Sequence, residues 1–506
     1  MNEDGLIETD IALETEVISH RAVSGVMVLT FRKLLLKAFS YIGSILLARL
    51  LSPEIFGIFA IVSFVITFFS FFSDVGLGAA LIQKKDQLNK KDLAVTFTLQ
   101  QILVVAVVII IFLTAPFFAQ KYHFGNEGAW LFRIFSLSLF LTSLKTIPSI
   151  LLERRLKFGR LVIPEIVEVI SFQILAVGLA WLGFGVWSFI IALLVRSLLG
   201  TLVLYFISPW KPAFAWDKLV AKKLISFGIP YQLNGFIATI KDAVMPVFVG
   251  FVSGAAAVGY LNWAMTFSKL PILFMSDVFR VTFPTYSRIQ YDRALLQRAV
   301  EKTIRFTNLF LFPAVFLLAA TAKPIVTIIF TDKWLPALPA FYIHLSGILV
   351  VGISNSFMDA FWALGKTKIA IKLLVISTVV NWASSVPLVY RFGFNGAMVG
   401  SVIVLYVSLP LTWYYMRRLV KVEIIKQIWA AFIASLLAGL ITWWLAKIWA
   451  NNFFGLILVL SLGGISYCLL LLALERKRLI TDGKWFLQKM NINLESLNFL
   501  KRSALN

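Results

Sequence analysis

Apolar residues in this chain come in long unbroken runs separated by short polar connections, with no alternation inside the runs. Roughly, the runs cover 24–50, 53–82, 92–118, 128–151, 161–183, 185–208 and 224–252 in the first half. They continue over roughly 255–284, 303–330, 337–362, 370–389, 394–416, 427–449 and 453–474. Many reach the ~20 residues a helix needs to cross a hydrocarbon core ~30 Å thick. With no water to satisfy backbone groups there, a spanning segment is a helix or part of a closed barrel, and continuous runs are helices. Lys323-Pro324 interrupts the ninth run, which puts 325–330 at the membrane interface. The expected fold is an all-α polytopic membrane protein with about 14 transmembrane helices.

The polar positions orient the helices. Lys84, Lys85, Lys90 and Lys91 follow the second run, and Arg154, Arg155, Lys157 and Arg160 the fourth. Basic clusters continue after every second run, as far as Arg476, Lys477 and Arg478. The alternate connections hold only Lys121, Lys323, Lys333, Arg391 and Lys447. Positive connections stay in the cytoplasm, so both termini are expected there and the span count is even, with twelve left if two weak runs fail. The expected organisation is a cytoplasmic tail (1–23), an N-lobe of helices 1–6 (24–208), a cytoplasmic linker (209–223), a C-lobe of helices 7–12 (224–417), helices 13 and 14 (418–474), and a tail (475–506). The first segment is acidic and lacks the form of a secretory signal. The last mixes Trp485, Phe486 and Leu497 with Lys484, Lys489 and Lys501, the pattern of an interfacial helix.

Composition sharpens this picture. Only 14% of residues are charged and 60% are hydrophobic, where a soluble domain carries about a quarter charged residues. Mean hydropathy is +0.88. The net charge of +22 sits in short inter-helix connections, where topology and anionic headgroups account for it, so no nucleic-acid partner is expected. A lone cysteine, Cys468, excludes intrachain disulfides and a multi-cysteine metal site. No GxxxxGK[ST] motif is present, which argues against direct ATP-driven pumping. The outward connections are too short to hold an extracytoplasmic catalytic domain.

The second and eighth runs resemble each other. Phe72-Ser73-Asp74-Val75 matches Met275-Ser276-Asp277-Val278, and Ser52 with Gly57 matches Ser253 with Gly259. Two similar halves of like orientation suit a transporter with its substrate site at the repeat interface. Charges within spans, which cost several kcal/mol each, gather on the first two helices of each half: Arg32, Lys33, Lys37 and Asp74, then Lys241, Asp242, Lys269, Asp277 and Arg280. Six bases against three acids suit an aqueous chamber for an anionic phosphate or pyrophosphate. Bracing ion pairs or snorkelling side chains are the alternative, and Asp74 and Asp277 would equally cap helix breaks. Arg196, paired with Glu165 or Glu168, and Gln100, Gln101, His344 and Asp359 are expected to bond between helices.

The segments Ile42-Gly43 through Leu47-Ala48-Arg49-Leu50-Leu51-Ser52-Pro53-Glu54 with Phe56-Gly57, and Asp74-Val75-Gly76-Leu77-Gly78-Ala79-Ala80-Leu81-Ile82-Gln83, carry a family resemblance. So do Leu152-Glu153-Arg154-Arg155-Leu156-Lys157-Phe158 and Ala363-Leu364-Gly365-Lys366-Thr367. They resemble the Wzx-type polysaccharide flippases of bacteria, in the variant tied to colanic-acid-like exopolysaccharide and lipopolysaccharide export. Those belong to the multidrug/oligosaccharidyl-lipid/polysaccharide (MOP) superfamily. The resemblance implies two six-helix lobes around a central cavity lined by the first two helices of each. It implies a lipid-linked (polyprenyl-pyrophosphate) oligosaccharide as cargo in the cell inner membrane.

The expected function is therefore a flippase working by alternating access, not an enzyme. Arg32, Lys33, Lys37, Lys241, Lys269 and Arg280 would bind the substrate, and Asp74, Asp242 and Asp277 would couple an ion or pair with the bases. No cofactor or metal is expected, and coupling would be to H+ or Na+. Expected partners are the lipid-linked oligosaccharide, membrane lipids and envelope polysaccharide synthesis proteins. The rival readings are a cation-coupled drug exporter of the same superfamily, which an anionic cavity would suit better, and a membrane sugar polymerase or ligase.

Overall fold

The computed structural model describes residues 35–489 apart from 85, 87, 126 and 274, and the side chains of all these but 234–243, 276, 277, 279, 280 and 482–489. Helix is the regular secondary structure of the described residues, with no strand among them. The chain divides into two compact units, Met1–Gly259 and Tyr260–Asn506. The first contains α1 (35–50), α2 (Pro53–Asp74), α3 (Leu77–Gln83), α4 (Lys90–Lys121), α5 (Gly128–Leu144), α6 (Thr146–Arg154), α7 (Phe158–Trp181), α8 (Trp187–Ile207) and most of α9 (Lys218–Ser268). The second contains α10 (Leu270–Leu273), α11 (Ser276–Arg288), α12 (Arg293–Ile325), α13 (Leu338–Ala363), α14 (Thr367–Arg417), α15 (Ile424–Trp449) and α16 (Phe453–Lys489).

Among the described residues, eleven helices are long and apolar enough to cross a membrane. The polytopic helical architecture is thus as expected. The eleventh and twelfth expected runs are two helical arms, labelled together as α14, that meet at Gly393 (φ 57, ψ −137). The seventh run and the start of the eighth lie in α9, which turns at Gly254 (φ 83, ψ 174). Both turns need a backbone that residues with a Cβ rarely adopt. The stretch 325–330 does not leave the helix. α12 runs through Pro324 and widens into a π turn, Val326–Phe330, ended by Thr331 at φ 107. Pro324 has no N–H to donate, and a wider turn is one way to absorb that loss.

Local chemistry sets the helix starts. The Ser52 hydroxyl accepts the Ile55 N–H at 3.4 Å, and Pro53 takes the first helical position, where its missing N–H costs nothing. Asn89 and Asp92 form a reciprocal capping box on α4.

One helix packs by the rule for helices in lipid, with small residues inside and large ones outside. On α15, Ala430, Ala434, Ala438 and Ala446 are buried while Leu440, Trp443 and Trp444 are exposed. A Cβ on Gly439 would press on Phe316 of α12 at 3.0 Å, so the missing methyl eases the close approach of α12 and α15.

The segment between α8 and α9, expected as a linker, is docked on the first unit. Trp210 and Phe214 pack on Phe97 at 5.0 and 5.5 Å, and the Ala215 N–H donates to Thr98 Oγ1 at 3.0 Å. The Asp217 carboxylate accepts the Leu219 and Val220 N–H groups at the start of α9 and pairs with Lys91 at 2.5 Å. The Lys91 hydrogen bond, helped by those two backbone donors, lowers its pKa from the usual carboxylate value to about 2.

Candidate functional site

Of the nine residues expected to bind substrate or couple an ion, Arg32 and Lys33 lie outside the described residues. Lys241 and Asp242 fall on α9, and Asp277 and Arg280 on α11, but their side chains are outside the described set. Lys37 is exposed on α1, and Lys269 is exposed at the junction of α9 and α10. Asp74 is half-buried at the end of α2. Among the described residues no ion pair joins any of these three to a partner. The first unit thus holds Lys37 and Asp74, and the second holds Lys269.

Asp74 marks a break. Val75 (φ 45) and Gly76 (φ 70) are both left-handed, ending α2 and restarting the chain as α3. The Asp74 carboxyl group accepts the Gly78 N–H, so it caps that restart, while its Oδ1 is buried with no partner among the described residues. The break also brings backbones together. A Cβ on Gly76 would lie 2.9 Å from the Gly228 Cα of α9, and one on Gly228 would strike Gly76 in turn. At the far end of the break, Arg154 donates to the carbonyls of Leu81, Lys84 and Asp86, closing the end of α3. The motif containing Arg154 and the motif running from Asp74 to Gln83 are therefore one structural element. In the second unit the matching string behaves differently. Ser276 begins α11, so that motif opens a helix where its counterpart closes one.

The opposite end of α2 supplies a second close approach. A Cβ on Gly57 would collide with the Ala255 carbonyl, and one on Gly259 with the Pro53 carbonyl. These are the repeat-matched positions of the sequence, and each glycine meets the residue matching the helix start beside the other. Nearby, the Lys121 ammonium sits over the Phe251 ring at 4.4 Å, and Tyr122 donates to the Val247 carbonyl at 3.4 Å.

Buried charge in the first unit centres on Glu168 of α7. It pairs with Lys145, between α5 and α6, and lies 3.5 Å from Arg196 Nε of α8. Arg196 was expected here, whereas Lys145 was not singled out, although it lies inside the apolar run 128–151 and a lysine there was the signal. A Cβ on Gly200 would strike the Glu168 side chain, so that glycine makes room for the carboxylate. Gln100 and Gln101 donate to Thr146 and Ser143 at 2.9 and 3.1 Å, the expected bonding between helices.

In the second unit Ser268 and His344 are 2.7 Å apart, and Thr282 donates to Asp359. The principal ionic cluster joins α12, α15 and α16. Arg305 meets Glu475 at 2.6 Å with both side chains buried, and Arg478 holds Glu475 at 3.3 Å and Gln427 at 2.5 Å. α16 departs from helical geometry at Glu475 (φ −136, ψ 35), so the C-terminal helix is fastened where it bends. The tail expected to begin at 475 is thus tied to the second unit at its root, while 490–506 lie outside the described residues. Sequence reading did not single out Arg305 or its distant partner Glu475. Among the described residues no group of three or more His, Cys, Asp or Glu could hold a metal ion.

The family described as "Polysaccharide biosynthesis protein" matches this chain over residues 46–339, more than half its length. The chain belongs to the polysaccharide biosynthesis protein family. The succinoglycan biosynthesis transport protein ExoT of Rhizobium meliloti (strain 1021) is a relative of this family member, 29% identical over 305 residues. That match covers 58% of this chain and 59% of ExoT, so the chain spans under two thirds of that relative's length. The solved structure of lipid II flippase MurJ in an inward closed conformation aligns with a TM-score of 0.74 at 17% identity, over 89% of this chain and 99% of that one. An inward-facing multidrug resistance MATE transporter of the MOP superfamily aligns at 0.56 and 16% identity, over 75% of this chain and 93% of that one. This polysaccharide biosynthesis protein thus shares the fold of the solved flippase and of the solved transporter.

Proposed function

We propose that the chain is a flippase that moves a polyprenyl-pyrophosphate-linked oligosaccharide across the inner membrane for exopolysaccharide, O-antigen or lipopolysaccharide synthesis. The observation that carries this reading is the conjunction of a polysaccharide biosynthesis family match with the fold of a lipid II flippase. In this reading the chain crosses the membrane fourteen times with both termini in the cytoplasm. The two six-helix lobes 24–208 and 224–417 present the cargo alternately to the two sides. Arg32, Lys33, Lys37, Lys241, Lys269 and Arg280 receive the pyrophosphate, because strong phosphate ligands are otherwise costly inside a membrane. Asp74, Asp242 or Asp277 couples transport to a proton or sodium gradient. Asp74 Oδ1, buried without a partner among the described residues, supports that role.

The test is reconstitution. The purified protein in liposomes is expected to move a fluorescent polyprenyl-pyrophosphate-linked sugar between leaflets, and Lys33→Ala and Lys241→Ala to abolish movement with the fold intact. Full activity in both variants would remove the site assignment. Absence of movement by folded wild-type protein would remove the cargo assignment. Transport indifferent to collapse of both gradients would remove ion coupling.

A further inference from the structure

α11 and α12 enclose a groove of about 1010 Å³ that no step of the proposed transport uses. Val281 and Thr285 of α11 line one wall, Phe306 and Phe310 of α12 the other, and Leu479 of α16 closes one side. All belong to the second unit. Leu295, Arg298, Lys302, Phe306 and Phe310 recur at three- and four-residue spacing, so they share one face of α12. That face is graded. Its start carries the two cations Arg298 and Lys302, one helical turn apart and both exposed, and its continuation into the apolar part of the helix is aromatic. The positive-inside bias puts the cationic end at the cytoplasmic surface.

We propose that this groove is a binding site for an anionic phospholipid of the cytoplasmic leaflet. An acyl chain needs an elongated space walled by carbon, open to the bilayer and at the upper end of ordinary ligand-pocket size, ~300–1,000 Å³. A headgroup phosphate at the mouth needs cations within reach of one another, and an Arg with a Lys one turn away supply both a forked donor and a point charge. The charge sits at one end of the groove only, as in a lipid. A soluble anion would have no use for the aromatic wall, and a neutral lipid no use for the cations. Such a lipid would wedge between α11 and α12, and the site would exist whatever the transporter's cargo.

The full-length protein is purified in neutral detergent, offered equal phosphatidylglycerol and phosphatidylcholine of the same acyl chains, and examined by native mass spectrometry. Wild type is expected to retain phosphatidylglycerol with a preference of about tenfold, the scale expected for two basic side chains at a membrane surface. Arg298→Gln with Lys302→Gln is expected to erase the preference while phosphatidylcholine is still retained, which shows the groove intact. Thr285→Trp, which fills the groove from an exposed position, is expected to lower retention of both lipids. An unchanged preference in the charge variant, or unchanged retention in the filled one, would overturn the proposal. Displacement of phosphatidylglycerol by inorganic phosphate would reduce the site to an anion site. Displacement by an equal amount of polyprenyl phosphate would assign the groove to the cargo. A Lys302–Lys501 cross-link that persists in lipid-containing protein would assign it to the chain's own C-terminal tail.

Discussion

The two halves of the chain solve the same packing problem with different chemistry. In the first, α7 and α8 meet at a glycine turn, Gly183 (φ 85) with Gly185 (φ 55), and are braced inside by Lys145, Glu168 and Arg196. In the second, the two arms of α14 meet at Gly393, and Thr378 and Tyr406 stand where Glu168 and Arg196 stand relative to the first turn. No charge occupies either place. Hydroxyls do the bracing instead: Ser377 and Ser408 are 2.9 Å apart, and Tyr406 donates to the Ser346 carbonyl at 3.1 Å. Among the described residues the second unit has a buried ion pair at Arg305 and Glu475, away from that helix pair. A repeated scaffold thus conserves its turns more strictly than its braces, because a turn is dictated by backbone geometry whereas hydroxyls and ions can both join helices.

The sharpest break of this contrast is Arg305→Met, which strands Glu475 beside α12. Removing one partner of a buried pair costs about 3–5 kcal/mol, and Arg478 offsets part of that. A large fall in thermal unfolding temperature is expected, with partial recovery in the double variant Arg305→Met, Glu475→Leu. Glu168→Ala is expected to cost about 3 kcal/mol, because it leaves Lys145 and Arg196 facing each other. Its counterpart Thr378→Ala should shift stability by less than about 0.5 kcal/mol. Equal losses at 168 and 378 would erase the distinction between ionic and hydroxyl bracing. Ser377→Ala, which removes one interhelical hydroxyl contact, is expected to cost about 0.6 kcal/mol in the same unfolding measurement.

The smallest effect is expected at the docked connection. Asp217 has its pKa lowered to about 2, so its contribution is fully present above the unfolded carboxylate value and is lost as pH falls through about 2. Asp217→Asn should therefore flatten the acid limb of the stability profile between those values. At neutral pH the loss should be minor, since the pair is exposed and screened.

The sequence made some of this visible and hid the rest for physical reasons. The helices were legible because lipid demands long apolar runs. Arg196 against Glu168 could be anticipated because a charge in a span needs an opposite one nearby. Lys145 went unremarked because it sits near the inner end of its run, where a lysine that snorkels and a lysine that pairs look the same. Arg305 and Glu475 are far apart along the chain, and nothing local to either names the other. The repeat was visible as matched strings. Their opposite use, closing α2 at Asp74 and opening α11 at Ser276, was not, because the break depends on the left-handed Val75 and Gly76.

The docking of the segment between α8 and α9, together with the Gly76–Gly228 contact, bears on where this gene could be divided. A cut within 209–216 looks natural on the hydropathy profile, yet it would part Asp217 from Lys91 and leave the contact of Gly228 with Gly76 to be rebuilt between two polypeptides. A cut at Gly254 would keep the 218–253 arm of α9 with Asp217 and Gly76, and fall where the backbone already turns, although Ala255 and Gly259 would then meet α2 across the cut. Coexpressed fragments made by the second cut are the ones expected to reassemble.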